Sequence, residues 1–356
     1  MNWSKDRAWE WYNGLPWLRG CNFIGSDCAN RRDMWQSFHA KEHLETADRE
    51  LALAEQTGFN TIRVILDFDV YYQEPESFMD VLEKYIEISA SHHQYVMIVL
   101  TAEAELPHGK FEDFVPKPLG EQVYALGYHQ GRSPEVLALY DDTSNVYHPM
   151  ESPILRDKFL EMVRRVVTRY KDDERVVCWN VYNEPGIVIH DRAIPIVREM
   201  FEIIREVNPI QPLTAELWAG FYEDGSINEV ERISLELSDV ISFHCYFRFG
   251  EFCKYIDYLK QYGRPLLCTE WLNRIRNCSI YDIFPLLHAE RIGCWCWGFV
   301  VGKTQTNEPY YFMCEEYEKG NLPDIDFTKW MHDLYRQNGF PYDPREIEII
   351  RRYSKM

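Results

Sequence analysis

Two glutamates close apolar runs far apart in the chain. "CWNVYNEPG" (178–186) ends by presenting Asn183 and Glu184 side by side, and Pro185-Gly186 then stop the run. "PLLCTEW" (265–271) ends in Glu270. Two carboxyl groups facing across a cleft can split a glycosidic bond. One, protonated, gives its proton to the leaving oxygen; the other attacks the anomeric carbon or activates water. A separation of about 5–5.5 Å implies retention through a covalent glycosyl-enzyme. Two chemically equal glutamates can share this work only if their surroundings push one pKa up and hold the other down. Once a glycosyl ester forms on one, its charge is gone, and the other loses its proton more easily and can act as a base towards water.

Other polar groups also sit in or just after apolar runs: Arg63, Glu216, Trp218, Trp271, Trp297, and the pair His244 and Tyr246, which are two apart and so on one strand face. Lys303 and Gln305 follow in "GKTQT". Each has a plainer reading. Asn183-Glu184 can be a polar turn, Arg63 the partner of a structural acid, and His244 and Tyr246 core residues. Trp218 and Trp271 can be packing, and Lys303 a loop cap. Adjacent residues on a regular strand point to opposite faces, so Asn183 and Glu184 can both aim inward only at a strand end or a bulge.

The elements that must position these groups recur. Eight short apolar runs (19–25, 60–68, 95–102, 176–184, 212–218, 240–247, 265–271 and 293–299) are rich in β-branched and aromatic residues, as strands covered on both faces are. Helical patterns lie between or after them at 41–58, 76–92, 152–173, 193–209, 252–265, 280–293 and 326–339. The first ends at Gly58, a good helix stop, and 219–239 holds at most one short helix. Strand then helix, eight times, predicts a single (β/α)8 barrel over 1–356, with an N-terminal extension (1–18) and a C-terminal helical tail (340–356) packed on it. The alternative is a doubly wound open sheet. In such barrels chemistry sits at the C-terminal strand ends, which would gather these groups at one mouth. The longest loop, about 103–150, is expected to close one end of the cleft.

"NEP" after one strand and "TEW" closing a later one, with Arg63, His244-x-Tyr246 and Trp297 on the intervening and flanking strands, resemble the clan of (β/α)8 retaining glycosidases that includes glycoside hydrolase family 5. The resemblance covers most of the chain. "WEWYNGLPWLRGCNFI", "NPIQPLT", "VISFHCY", "RPLLCTEW" and "WGFVVGKTQT" resemble subfamily 18 of that family, which contains β-mannosidases acting on short mannosides such as Manβ1-4GlcNAc. It implies Glu184 as acid/base, Glu270 as nucleophile, and Asn183 on the sugar 2-OH. Arg63 would keep Glu270 ionised, Tyr246 would donate to Glu270, and His244 would contact Glu184 or the substrate. Trp297 would form the floor under the cleaved sugar, with a cis bond between Trp297 and Gly298. The family's histidine at the end of strand three is absent. That end reads "VLTAEAELPH", with Thr101, Glu103, Glu105 and His108, so Glu103 or His108 is the candidate substitute.

Composition narrows the partners. A formal net charge of −19 argues against nucleic acid and anionic membranes and is indifferent to a neutral ligand. Aromatic content of 15%, with Trp 11 and Tyr 23, suits stacking on sugar rings, though a Trp-rich core accounts for it too. No apolar run reaches membrane length. Ten scattered cysteines and an N-terminus without an apolar signal region lead us to expect a cytoplasmic enzyme with free thiols. No cofactor or metal is expected: His39 and His43, four apart, lack an evident third ligand, and the His-x-His of metal-dependent barrel hydrolases is missing after strand one. The expected activity is exo-β-mannosidase action on short oligosaccharides. An endo-β-1,4-mannanase or cellulase is the alternative within the class, and a non-catalytic sugar-binding barrel the alternative outside it.

Overall fold

A computed structural model describes residues 2–104, 106–124, 129, 145–221, 225–322 and 324–356. Glu105 and, within the loop 103–150, residues 125–128 and 130–144 therefore lie outside the described residues. Each of the eight apolar runs contains one strand: β1 Arg19–Asn22, β2 Thr61–Ile65, β3 Tyr95–Val99, β4 Val176–Asn180, β5 Leu213–Thr214, β6 Ile241–His244, β7 Leu266–Trp271 and β8 Gly293–Cys296. All pair in parallel, in the order β5-β4-β3-β2-β1-β8-β7-β6. The ring closes just past β5, where Leu217 bridges Phe243: Leu217 N–H donates to Ser242 O and His244 N–H to Leu217 O. The Thr214 hydroxyl donates to Val240 O across the same seam. The fold is thus a (β/α)8 barrel and not an open sheet. β2, β4 and β7 are buried at every position, as strands walled by helices outside and side chains inside must be.

The N-terminal segment plugs one end of the barrel. Helix Lys5–Asn13 supplies Ala8 and Tyr12, which pack with Trp3 and Leu18 against Met97, Cys178, Leu267 and Trp295 from the strands. Trp3 N–H donates to Asp239, and Tyr12 OH to Arg291 O, so the plug is tied as well as packed. With that end filled, chemistry is left to the opposite mouth, where the strands terminate.

The helices follow the apolar periodicity. Ala40–Thr57 ends as expected at Gly58 (φ 102°), whose N–H caps Ala54 O and Glu55 O. Pro75–Ser91, Arg156–Tyr170, Ala193–Val207, Phe249–Lys260 and Ile280–Ala289 fall on the expected segments, and Glu229–Leu237 is the one helix among the described residues of 219–239. The C-terminal helix is Pro344–Ser354, held to the barrel by the buried Arg274–Glu346 ion pair at 2.7 Å. One expected helix, 326–339, does not form. Met331 to Tyr335 are five consecutive buried residues, which no helix stripe allows. The segment runs extended instead, with Tyr335 N–H on Phe299 O and Val301 N–H on Tyr335 O. The helix of the β8 loop lies earlier, at Tyr311–Glu318.

One glycine tests how closely the ring is drawn. A Cβ on Gly20 would lie 1.7 Å from the Thr61 carbonyl oxygen in the neighbouring strand, and a backbone oxygen cannot swing away. Gly20→Ala should destabilise the fold by about 1–3 kcal/mol or more, read as a lower urea midpoint at an unchanged slope. A midpoint equal to that of the parent protein would show the β1–β2 contact to be looser than described.

Candidate active site

β2 delivers Arg63 to the barrel interior, where it is 1% exposed. Its Nη1 donates to Glu270 Oε1 (2.9 Å) and Asn22 Oδ1 (2.7 Å). Its Nη2 donates to Asn183 Oδ1 (2.6 Å), Glu216 Oε1 (3.0 Å) and, at 3.3 Å, Asn180 Oδ1. One guanidinium therefore draws together groups from β1, β4, β7 and the chain just beyond β4 and β5. Such a cation is tolerated out of water only when it is paired and hydrogen-bonded.

Glu184 reaches the same mouth through an irregular backbone. β4 ends at Asn180, and Asn183 is held by a single bridge to Ala102, its N–H on Thr101 O. Glu184 then takes φ 45°, a left-handed conformation that costs a non-glycine residue energy. This departure from strand geometry meets the demand that two adjacent side chains serve one site. Glu103 secures it. Its carboxylate, 1% exposed, accepts the N–H groups of Gly186 (2.5 Å), Val188 (2.5 Å) and Ile189 (2.9 Å) and the hydroxyl of Tyr182 (2.9 Å). Trp218 Nε1 donates to Pro185 O (3.2 Å) from the other side.

Across the barrel, a register shift between Phe243 and His244 sets His244 opposite Glu270. His244 Nδ1 lies 2.7 Å from Glu184 Oε1 and 3.5 Å from Glu270 Oε2, and Tyr246 OH donates to Glu270 Oε2 at 2.8 Å. Carboxylate oxygens of Glu184 and Glu270 and a ring nitrogen of His244 fall within 4.8 Å of one another. That spacing suits direct attack by one carboxylate; a water-mediated inverting pair stands about 6.5–9.5 Å apart.

The electrostatics separate the two acids. Burial pushes Glu184 up to about 7; Arg63 pulls against this and Glu103 adds to it. Burial also raises Glu270, where the expectation from sequence was a depressed value. The correction has a physical cause: desolvation outweighs Arg63 and the Tyr246 hydroxyl, both of which favour the ionised form. The distinction between the acids survives in the donors. Glu270 receives N–H and O–H bonds from Arg63 and Tyr246, whereas Glu184, among the described residues, meets the His244 ring alone. Burial lowers the pKa of His244, so that ring is neutral near neutral pH.

Trp297 is half-buried beyond β8, its backbone N–H on Trp271 O, and with Arg63 and Asn22 it lines a recess. All described peptide bonds are trans, including Trp297–Gly298, where a cis bond was expected; Gly298 makes the turn at φ 76° instead. A Cβ there would press to 2.5 Å from the carboxylate of Asp333. Trp271 is core, stacked on Phe284. Lys303 is exposed, with no side-chain hydrogen bond or ion pair among the described residues, so it is not brought to the carboxyl pair. Glu103 does not replace the missing strand-three histidine as a sugar contact, because both its oxygens serve the β4 loop. Thr101 bonds the buried His148 (3.0 Å), and His108 pairs with Val146 in the loop. His39 is exposed beside Glu42, while buried His43 turns to Asp27 at 3.0 Å. Sequence reasoning missed Asn22, Asn180 and the clamping role of Glu103. An asparagine inside a wholly apolar run was the available signal for the first two.

A (β/α)8 barrel with two carboxyl groups at this spacing over its C-terminal mouth defines a glycoside hydrolase of the retaining type. Residues 25–297 match the family model of cellulase (glycosyl hydrolase family 5). The chain belongs to that family. No curated protein sequence matches it. Among solved structures it is similar in fold to a family 5 subfamily 18 enzyme from Streptomyces cattleya, an alanine variant in complex with Manβ1-4GlcNAc (14% identity, 94% of this chain and 80% of that one, TM-score 0.55). It is also similar to a family 5 mannosidase from Rhizomucor miehei in complex with mannosyl-fructose (13%, 95% and 92%, 0.56) and to an exo-β-1,4-mannosidase from Opitutaceae bacterium strain TAV5 (14%, 95% and 60%, 0.57).

Two outcomes follow from this geometry. Glu103→Gln removes an acceptor from a set of buried N–H donors and should cost about 1–3 kcal/mol. It also removes a charge that repels ionised Glu184, so the alkaline limb of the pH–rate profile should move to lower pH. Unchanged urea melts and an unmoved limb would show that Glu103 does not hold the turn. The second concerns stability. Glu184 binds its proton more tightly folded than unfolded, so its contribution is full below its unfolded value of 4.5 and is lost as pH rises through about 7. Glu184→Gln should therefore be more stable than the parent protein at pH 8 and about equal to it at pH 4. The gain should reach at most about 3 kcal/mol, and less because the side chain is 21% exposed. Thermal melts at the two pH values decide it.

Proposed function

We propose that the protein is an exo-acting β-mannosidase that cleaves short β-1,4-mannosides by double displacement. The observation that carries the mechanism is the carboxyl pair within 4.8 Å, one member rich in donors and the other not. Glu270 is the nucleophile: Arg63 and Tyr246 favour its charge and fix both oxygens. Its attack on the anomeric carbon forms an ester bond as the glycosidic C–O bond breaks. Glu184, buried and protonated near neutral pH, delivers its proton to the departing oxygen. Water then enters, gives its proton to Glu184, and its hydroxyl to the anomeric carbon, releasing Glu270. His244, neutral and 2.7 Å from Glu184, steadies that carboxyl in either state. Asn183, already oriented by Arg63, presents its amide to the sugar 2-OH, and Trp297 gives the ring a floor.

The sugar is argued from likeness. The similar solved structures carry a mannosyl disaccharide or are named mannosidases, and one is named exo-acting. The quoted motifs resemble subfamily 18. We place the enzyme in the cytoplasm, acting on imported oligosaccharides; that all ten cysteines are free thiols supports this, and activity found only outside the cytoplasm in fractionated cells would overturn it.

A panel of aryl β-glycosides (manno, gluco, galacto, xylo) followed by Manβ1-4GlcNAc tests the reading. Manno and gluco differ only at the 2-OH, the group beside Asn183. The expected result is turnover of the manno substrate and release of mannose from the disaccharide. Glu270→Ala and Glu184→Ala should each lose activity by on the order of 10³-fold or more. Internal cleavage of long mannan without action on the disaccharide would overturn the exo reading.

A further inference from the structure

Glu216, just past β5, sits where the double-displacement reading assigns no role. It is wholly buried and 3.0 Å from Arg63. Arg63 is thus one cation between two carboxylates, with Glu270 on Nη1 and Glu216 on Nη2. The other groups facing Glu216 are His244, whose Nε2 is 3.8 Å away, the Thr269 hydroxyl at 3.5 Å, and the buried thiol of Cys178, while Glu184 lies beyond His244. The second oxygen of Glu216 has no hydrogen-bond partner among the described residues. A buried carboxylate with a free oxygen is costly, and nothing in the barrel's closure uses it.

The reaction itself supplies a use. When Glu270 attacks the sugar it becomes an ester and loses its charge. Without Glu216, Arg63 would then be a buried cation facing only asparagine oxygens, a state costly to form. We propose that Glu216 is a charge-compensating and positioning residue, the counter-ion that keeps Arg63 paired while Glu270 is esterified. The inference rests on the retaining mechanism proposed above and adds a residue to it. Glu216 does not touch the reacting atoms; it acts through Arg63. In the free enzyme it shares Arg63 with Glu270, and in the glycosyl-enzyme it has Arg63 alone. The cation therefore never loses its last anionic partner.

The test is the rate of trapping by 2-deoxy-2-fluoro-β-mannosyl fluoride, followed by mass spectrometry, with the pH profile of kcat/KM on an aryl β-mannoside. Glu216→Gln keeps the shape and removes the charge. It should slow trapping by on the order of 10- to 100-fold. The acid limb of the profile should move about one unit to lower pH, because Glu270 loses a repelling neighbour. A purely structural role would not move that limb. Glu216→Asp keeps the charge one methylene further from Arg63, so it should slow trapping less and leave the limb in place. A parent enzyme that is trapped, with E216Q trapped equally fast and its acid limb unmoved, overturns the role of Glu216 and leaves the glycosidase reading intact. If E216Q does not fold, trapping of E216D at the parent rate overturns it. A parent enzyme that neither turns over nor traps overturns both.

Discussion

A single buried cation organises the active end of this barrel. Arg63 has five side-chain partners drawn from four of its eight staves, and every one is an oxygen. A guanidinium removed from water must find such partners or the fold does not form. The demand runs both ways. Asn22 and Asn180 would be misplaced polar groups in apolar strands if Arg63 were absent, and Glu270 and Glu216 would be uncompensated buried charges. The geometry that places two carboxyls at attacking distance is in this sense a by-product of neutralising one arginine inside a closed ring.

The same logic explains why two glutamates in one cleft can do different work. Neither differs in type, and burial raises both. What differs is the supply of donors. Arg63 on β2 and Tyr246 just past β6 aim an N–H and an O–H at Glu270, while Glu184 stands past a strand end with the neutral His244 as its hydrogen-bonding partner among the described residues. An expectation built on Arg63 alone put Glu270 below its ordinary range, because it weighed the neighbouring charge and left out the desolvation that comes with a nearly sealed site. The distinction between the two survives that omission, since both carboxyls are desolvated and Arg63 and Tyr246 donate to Glu270 and not to Glu184.

The barrel and the carboxyl pair were legible because they rest on patterns that recur: apolar runs bounded by turn residues, and chemistry gathered where those runs stop. Asn183, Glu184, His244, Tyr246 and Glu270 each sit at such a stop. Glu103 was legible as a position and not as a role. Its function depends on the path of the chain from Gly186 to Ile189, more than eighty residues on, and no local pattern encodes that path. The segment 326–339 misled for a related reason. Its apolar spacing resembles a helix stripe, but Met331 to Tyr335 are buried on all sides because the β8 loop already occupies the space around them, and extended backbone pairs with Phe299 and Val301. Lys303 was drawn in by proximity in sequence to β8, and its side chain points to solvent.

Strain and restraint meet at Glu184. Its left-handed backbone is unfavourable in isolation, and it persists because the turn beyond it is overdetermined: Glu103 holds the backbone N–H groups of Gly186, Val188 and Ile189, Trp218 holds the Pro185 carbonyl, and Gly186 adopts a φ of 83° that a side chain would resist. A regular strand would have turned either Asn183 or Glu184 away from the cleft. Spending backbone regularity there lets Asn183 bond Arg63 while Glu184 reaches His244, so two adjacent side chains serve one mouth. A change anywhere in the clamp is therefore transmitted to the chemistry as a shift in where the Glu184 proton sits, and not merely as a loss of packing.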